Sequence, residues 1–189
     1  MTDERRISQS SDVTPRASPA NLDLSAIFAE HFDYVWHTLQ RLGVRDADLE
    51  DFSHEVFLKV HARLESYDPS RPLRPWLFGF AYRVAADYRR LARHRVEVIG
   101  ASVEAIDPVR PADQRIEDAE ERGLVLAALA TIDLGRRAVL LMHDADEIPI
   151  PEVARELGIP VNTAYSRLRI GRDELSSAIK ILRRRRKAS

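Results

Sequence analysis

The chain has 189 residues, 44% of them hydrophobic and 31% charged, with no cysteine and a formal net charge of −1 at pH 7. This composition is sufficient for a hydrophobic core, and it excludes disulfides, thiolate metal sites and a cysteine nucleophile. No apolar run approaches the roughly 18 residues of a membrane-spanning helix. Residues 1–20 mix Ser, Thr, Pro and charged residues without an apolar secretory segment, so we expect a disordered tail there and a cytoplasmic protein.

The N-terminal half shows the apolar periodicity of three helices. The first helix ends at Gly43, which stands where a C-terminal cap is expected. A second helix is predicted to begin at Asp46 or Asp48, because acidic residues in the first turn suit the helix dipole. Three prolines in SYDPSRPLRP predict a loop over residues 66–74, after which Pro75 can open a third helix.

The middle of the chain has the composition of a linker. Residues 96–115 contain one Gly, two Pro and an acidic bias, without a clear period. So long an irregular stretch is unusual inside one domain, and it favours two small helical domains joined by a flexible acidic linker. The resulting all-α prediction has a tail (1–20), a first domain (21–95), a linker (96–115), a second domain (116–182) and a basic tail (183–189).

The segment IPIPEVARELGIPVNTAYSRLRIGRDEL has the pattern of a helix-turn-helix. Pro151 and Glu152 favour the start of a short helix, and Gly158 supplies the turn. Asn162 or Thr163 can cap a second helix, whose first turns would enter the major groove of DNA. A plain helical hairpin with a solvated basic face is the alternative. DNA binding is favoured because the turn, cap, core and outer face agree.

The outer face of this second helix carries side chains that can read or grip DNA. Arg can bind guanine through two hydrogen bonds, and Asn can bind adenine in the same way. Arg172 and the basic tail from residue 183 suit contacts with phosphates. The candidate duplex-binding residues are Asn162, Thr163, Tyr165, Ser166, Arg167, Arg169 and Arg172.

Two oppositely charged segments distinguish the N-terminal half. Residues 46–55 carry five acidic residues and neither Lys nor Arg, whereas residues 71–95 carry seven Arg and one acidic residue. A cationic track interleaved with aromatic residues can follow single-stranded nucleic acid. We expect most of these aromatic residues to fill the core, with Tyr67 in the loop as the most exposed one.

Taken in order, these segments resemble the extracytoplasmic-function (ECF) sigma factors, the promoter-specificity subunits of bacterial RNA polymerase. EDFSHEVFLKVHARL resembles the core-binding segment of sigma region 2, and RPWLFGFAYRVAADYRR resembles the helix that recognises and opens the minus-ten element. The helix-turn-helix ending in AYSRLRIGRDEL resembles region 4, which reads the minus-thirty-five element. The resemblance implies binding to core polymerase, through the β′ clamp and β flap, and initiation at promoters of a stress or envelope-response regulon.

The resemblance also implies roles for individual residues. Asp51, Glu55, Leu58 and Lys59 would face the clamp coiled coil of the β′ subunit. In the minus-ten set the loop would hold an everted base and the arginines would contact the strand. That set is Ser66, Tyr67, Asp68, Arg71, Arg74, Arg83, Arg89 and Arg90. The candidate duplex-binding residues would address the minus-thirty-five element, and an anti-sigma protein would mask these surfaces.

Two other classes of function compete with this interpretation. Glu50, His54 and His61 could form a metal-binding face, but the chain has no phosphate loop or catalytic motif. We therefore expect no enzyme, no metal site and no cofactor. An autonomous helix-turn-helix regulator would bind a specific duplex tightly by itself. A sigma factor, in contrast, would gain promoter specificity only with core polymerase.

Overall fold

A computed structural model describes residues 23–99 and 116–188, and every regular element in these two ranges is helical. The α-helices are α1 (Leu24–Leu42), α2 (Leu49–His61), α3 (Leu73–Ile99), α4 (Ile116–Ala130), α5 (Leu134–Leu140), α6 (Ile150–Leu157) and α7 (Val161–Ala188). The all-α prediction is confirmed. The predicted tail, 1–20, and residues 100–115 of the predicted linker lie outside the described residues.

Helices α1 to α3 form a first unit, in which each helix packs against the other two. Gly43 ends α1 with a left-handed φ of 96°, as predicted for a C-terminal cap. The predicted acidic start of the second helix is a 3-10 turn, Asp46–Asp48, that leads directly into α2. Helix α3 begins at Leu73 rather than Pro75 and continues to Ile99, past the predicted domain boundary at residue 95.

Helices α4 to α7 form a second unit, in which α7 packs against α4, α5 and α6. Helices α6 and α7 are the predicted helix-turn-helix, and Gly158 supplies the turn with a left-handed φ of 65°. Because α7 begins at Val161, Asn162 and Thr163 lie in its first turn, and the prediction that one of them caps the helix is wrong. The predicted basic tail is, through Ala188, the last part of α7.

The two units pack against each other and share one hydrophobic core. Helix α1 contacts α4 and α5, and α3 contacts α6. Val35 and Val84 from the first unit and Val139 and Val153 from the second are at most 1% exposed and belong to one cluster of buried residues. The interface between the units was not predicted from the sequence. Within the described ranges, no helix combines the length and apolar character that spanning a membrane requires.

Candidate nucleic-acid interface

The outer face of α2 holds the four residues predicted to meet a protein partner. Asp51 is exposed, and Leu58 exposes 69% of its surface. Glu55 and Lys59 form an ion pair, with 3.1 Å between Oε1 and Nζ. These residues share one side of the helix by their spacing, while the other side is buried against α1 and α3. A large exposed apolar side chain flanked by charges is suited to a protein interface.

The loop that precedes α3 is ordered by its own hydrogen bonds. The Oδ1 atom of Asp68 accepts the backbone N–H of Ser70 at 3.0 Å and its hydroxyl at 2.7 Å. These bonds from Ser70 hold the pKa of the Asp68 carboxyl below its usual value. The hydroxyl of Ser66 donates to the carbonyl oxygen of Arg63 at 2.6 Å. Ser66 and Asp68 are therefore exposed side chains on a preformed turn.

Tyr67 lies inside this loop rather than on its surface. Its hydroxyl donates to the carbonyl oxygen of Arg71, and its ring centroid lies 4.8 Å from that of Trp76. Trp76 in turn makes an edge contact with Phe80, at 4.8 Å between ring centroids. Tyr67 is consequently half-buried, and the prediction that its ring is exposed is wrong.

Two arginines of the predicted minus-ten set face Glu156 of α6. Arg71 pairs with it through Nη2 and the carboxylate Oε1, and this Glu side chain is only 9% exposed. Arg83 lies with its guanidinium 5.6 Å from the Phe80 ring centroid, and its Nη2 is 3.5 Å from the carbonyl oxygen of Glu156. Both arginines thus meet the second unit.

The other three arginines of the minus-ten set have different surroundings. Arg74 is exposed and lies over the ring of Tyr34, 5.4 Å from its centroid. Arg90 is exposed and bonds to Asp87 on its own helix at 3.2 Å. Arg89 is half-buried close to the interface between the units. The predicted set therefore does not form one continuous exposed track.

The outer face of α7 is open as predicted. Asn162, Tyr165, Ser166 and Arg169 are exposed, and Thr163 is half-buried. The inner side of the same turns is buried and packs against α5 and α6. This places polar, aromatic and cationic side chains on the first turns of the second helix of a helix-turn-helix, where base edges would be met.

Two arginines of α7 are held by the second unit itself. Arg167 is half-buried, and a Cβ added at Gly135 would lie 3.0 Å from its Nη1 atom, so its guanidinium lies against the start of α5. Arg172 bonds to both carboxylate oxygens of Asp144, at 2.9 and 2.5 Å. The bonds from Arg172 lower the pKa of the Asp144 carboxyl.

The basic end of α7 is tied to α4. Arg183 pairs with Glu121, and Arg186 pairs with Glu120. These two arginines were predicted to contact phosphates, and in the structure they join the first turns of α4 to the last turns of α7. Exposed pairs of this kind contribute little to stability and can exchange for a stronger anion.

Two buried charged residues, Arg137 and Glu156, were not predicted from the sequence, because Arg and Glu are ordinarily exposed. Arg137 is 1% exposed, and burial lowers the pKa of its guanidinium to about 10. Glu156 follows the buried Val153 by three positions on α6, a spacing that places both on one face. That spacing was the one feature of the sequence that could have predicted the burial of Glu156.

A tyrosine and an aspartate join the two units at a second point. The hydroxyl of Tyr34 on α1 donates to Oδ2 of Asp146 at 2.6 Å. Burial raises the pKa of both groups, since each charged form is poorly solvated there. The second unit thus makes polar contacts with α1, through Asp146, and with α3, through Glu156.

The histidines of α2 do not gather metal ligands. His54 Nδ1 lies 2.9 Å from the carbonyl oxygen of Glu50, and its ring stacks near Phe28 at 5.9 Å. In residues 23–99 and 116–188, no three His, Asp or Glu side chains converge as a metal centre requires.

An exposed face on α2, arginines on the loop before α3 and on α3, and a helix-turn-helix are together typical of a helical DNA-binding protein. The family model for Sigma-70 region 2 matches residues 27–95, and that for Sigma-70 region 4 matches residues 122–175. The ECF RNA polymerase sigma factor SigL of Mycobacterium tuberculosis is 32% identical over 146 residues, which cover 77% of this chain and 82% of that protein. The chain belongs to the ECF RNA polymerase sigma factors.

Solved structures have the same fold. A sigma factor RpoE in complex with the anti-sigma factor NepR from Bartonella quintana superposes with a TM-score of 0.69 at 19% identity, covering 84% of this chain and 98% of that one. CnrH in complex with the cytosolic domain of CnrY gives a TM-score of 0.58 at 22% identity, over 84% and 88% of the two chains.

Proposed function

We propose that this sigma factor docks core RNA polymerase through α2, receives the minus-ten strand on the loop before α3 and on α3 itself, and reads the minus-thirty-five element with α7. One observation supports this proposal. The two family matches fall on the two helical units, and each unit exposes a helix face with side chains that can contact a partner or DNA. The chain supplies specificity to the polymerase and contributes no catalytic group.

The polymerase contact is centred on Leu58. A largely exposed Leu next to Asp51 and the Glu55–Lys59 pair offers an apolar anchor inside a charged rim. Burying such a side chain in a complementary pocket stabilises a complex by about 1.5–3 kcal/mol. The acidic residues around it would steer the approach to a basic surface on the clamp.

The minus-ten contact combines the loop and the arginines. Ser66 and Asp68 sit on an ordered turn, so an unstacked base would meet groups that are already positioned. Arg71, Arg74 and Arg83 would contact phosphates of the displaced strand. Arg89 and Arg90 would extend these contacts along α3.

The minus-thirty-five contact uses the exposed turns of α7. Asn162, Ser166 and Arg169 present donors and acceptors to base edges, and Tyr165 presents an apolar ring to thymine methyl groups. Thr163 would support this contact from its half-buried position. Arg167 and Arg172 would contact DNA after leaving their bonds inside the second unit.

We further infer that an anti-sigma protein is a partner. The two structural neighbours are named as complexes with the anti-sigma factor NepR and with the cytosolic domain of CnrY, and both share the two-unit fold. The site of action would be the bacterial cytoplasm, where core polymerase and promoters are found. Control of a stress or envelope-response regulon stays a prediction.

Equilibrium binding of the labelled chain to bacterial core RNA polymerase tests the proposal. Leu58→Ala should weaken binding by about 10-fold or more, as loss of a buried apolar anchor does. Leu91→Ala is the matched control, because Leu91 is also an exposed Leu (54%) but lies on α3. Absence of polymerase binding, together with tight binding of a specific duplex by the free chain, would instead identify an autonomous helix-turn-helix regulator.

A further inference from the structure

The closed arrangement of the two units, in which α6 packs on α3, brings a carboxylate to the candidate strand-binding site. The Glu156 carboxylate pairs with Nη2 of Arg71, and the Glu156 backbone carbonyl lies 3.5 Å from Nη2 of Arg83. The two helices are close at this point, since a Cβ added at Gly79 would lie 3.6 Å from the Glu156 carbonyl oxygen. One residue of the second unit thus meets two arginines of the first.

The Glu156 carboxylate occupies a position at Arg71 that another anion could take. Arg guanidinium binds carboxylate and phosphate oxygens through the same planar set of donors. The side chain of Glu156 is 9% exposed and that of Arg71 is 34% exposed, so the pair is partly shielded from water. A strand phosphate that reaches Arg71 would have to displace this carboxylate.

The same closed arrangement leaves the duplex-reading face open. Tyr165 and Ser166 are exposed although α6, the neighbouring helix, is covered by α3. The closed chain therefore engages two arginines of one candidate DNA site and leaves the other site exposed.

We propose that the Glu156 carboxylate competes with the minus-ten strand for Arg71 while the Glu156 backbone carbonyl holds Arg83, so that the free sigma factor masks these two arginines of its strand-binding site until the two units separate. This rests on the proposed role of these arginines in strand binding. By linkage, whatever favours the separated units raises strand affinity, and a bound strand favours their separation. Arg137 and Tyr34 hold the same interface at other points and therefore help to keep the units closed. Of these residues, only Glu156 would compete directly with the strand.

The test uses the full chain and two readouts. Because the chain has no cysteine, Cys introduced at the exposed Ala29 and Ser177 accepts a dye pair that reports the separation of the units. Fluorescence anisotropy with an oligothymidylate of about 12 nucleotides reports strand binding. Glu156→Gln removes the charge and keeps the shape. Glu152→Gln is the matched control, because Glu152 lies on the same helix and bonds to Arg155.

Glu156→Gln should increase the separation of the dyes and tighten oligothymidylate binding about tenfold, the effect of losing a partly buried charged hydrogen bond. Glu152→Gln should match the unsubstituted chain in both readouts. Arg71→Ala should separate the units without tightening strand binding, since it also removes a strand contact. Circular dichroism melting checks that each variant is folded.

Two results would overturn the competition. One is a Glu156→Gln chain with unchanged dye separation and affinity, and the other is separated units without a gain in affinity. Promoter opening by the reconstituted holoenzyme distinguishes this failure from failure of the proposed function. If Arg71→Ala abolishes promoter opening while Glu156→Gln changes neither dye separation nor strand affinity, only the proposed competition by Glu156 is wrong. If Arg71→Ala and Arg83→Ala open promoters normally, the assignment of these arginines is wrong.

Discussion

The Nη1 atom of Arg137 lies 2.8 Å from the carbonyl oxygen of Leu42, so a guanidinium of the second unit closes the C-terminal end of α1. Its Nη2 atom donates to Ile132 at 2.9 Å. The carbonyl groups at the end of a helix carry partial negative charge, which favours a cation there. The sigma region 4 unit is thereby fastened to the region 2 unit by a charge at a helix end.

Replacing Arg137 by Met should lower the free energy of unfolding by about 2–4 kcal/mol, because buried carbonyl oxygens lose their donors. Arg90→Met is the control, since the Arg90 side chain is 75% exposed and pairs within α3. It should cost less than about 1 kcal/mol. Urea unfolding followed by circular dichroism measures both, and equal losses in the two variants would contradict the anchoring role of Arg137.

Gly43→Ala and Gly158→Ala should differ in cost although both glycines have positive φ. A Cβ at Gly43 would lie 2.8 Å from Nη1 of Arg137, whereas a Cβ at Gly158 would meet nothing within 4 Å. Gly158→Ala should cost about 1 kcal/mol, from left-handed backbone alone. Gly43→Ala should cost about 3 kcal/mol, because the Arg137 bonds are disturbed as well. Thermal and urea unfolding measure both losses of stability. Similar losses in the two variants would show that Arg137 moves aside without losing its bonds.

The stability of the chain should depend on pH through Asp146, which lies at the interface between the units. Burial raises the pKa of this carboxyl, so its ionised form opposes folding at neutral pH, and this penalty disappears as the pH falls through the raised pKa. Asp146→Asn keeps an acceptor for the Tyr34 hydroxyl and should therefore stabilise the chain at pH 7. The gain should shrink on acidification and vanish below the unfolded pKa of about 3.9.

Asp144→Asn is the control of opposite sign. Arg172 lowers the pKa of the Asp144 carboxyl, so its stabilising effect is present above the unfolded pKa and is lost as the pH falls through the folded pKa. This variant should be less stable than the unsubstituted chain at pH 7 and equal to it in strong acid. Urea unfolding across the pH range measures both variants, and parallel curves would refute the burial of the Asp146 charge.

Asp144→Asn should also change DNA binding. Arg172 is held by both oxygens of Asp144, and its release would add a phosphate contact to α7. Affinity for a duplex of unrelated sequence should rise, and the slope of log affinity against log salt should steepen by about 0.9. The double variant Asp144→Asn, Arg172→Ala should lose this gain. A gain that persists in the double variant would show that another cation had been released.

Local patterns predicted much of the fold because they report local physics. The apolar stripe before Gly43 and the turn at Gly158 depend on helical spacing and on left-handed backbone, both encoded within a few residues. The outer positions of α7 followed from the same spacing. The predicted start of α7 is two or three residues too late, because Asn162 and Thr163 favour caps without having to form them.

Tyr67 shows where local reasoning fails. A Tyr in a Pro-rich loop was expected to be exposed, yet its ring packs on Trp76 and its hydroxyl bonds back to the loop. Which face of a loop turns inward depends on side chains elsewhere in the fold. The candidate strand-binding site therefore has a half-buried aromatic pair where the sequence predicted one exposed ring.

The sequence by itself determined the helices, the helix-turn-helix, the charge of each segment and the sigma-factor family, because each depends on residues that are near one another in the chain. Only the tertiary structure decided that the two units close on each other and that Arg137 and Glu156 are buried between them. A buried charge is tolerated only where distant groups satisfy it. Those groups, at Leu42 and Arg71, are brought near by packing, and no local pattern specifies them.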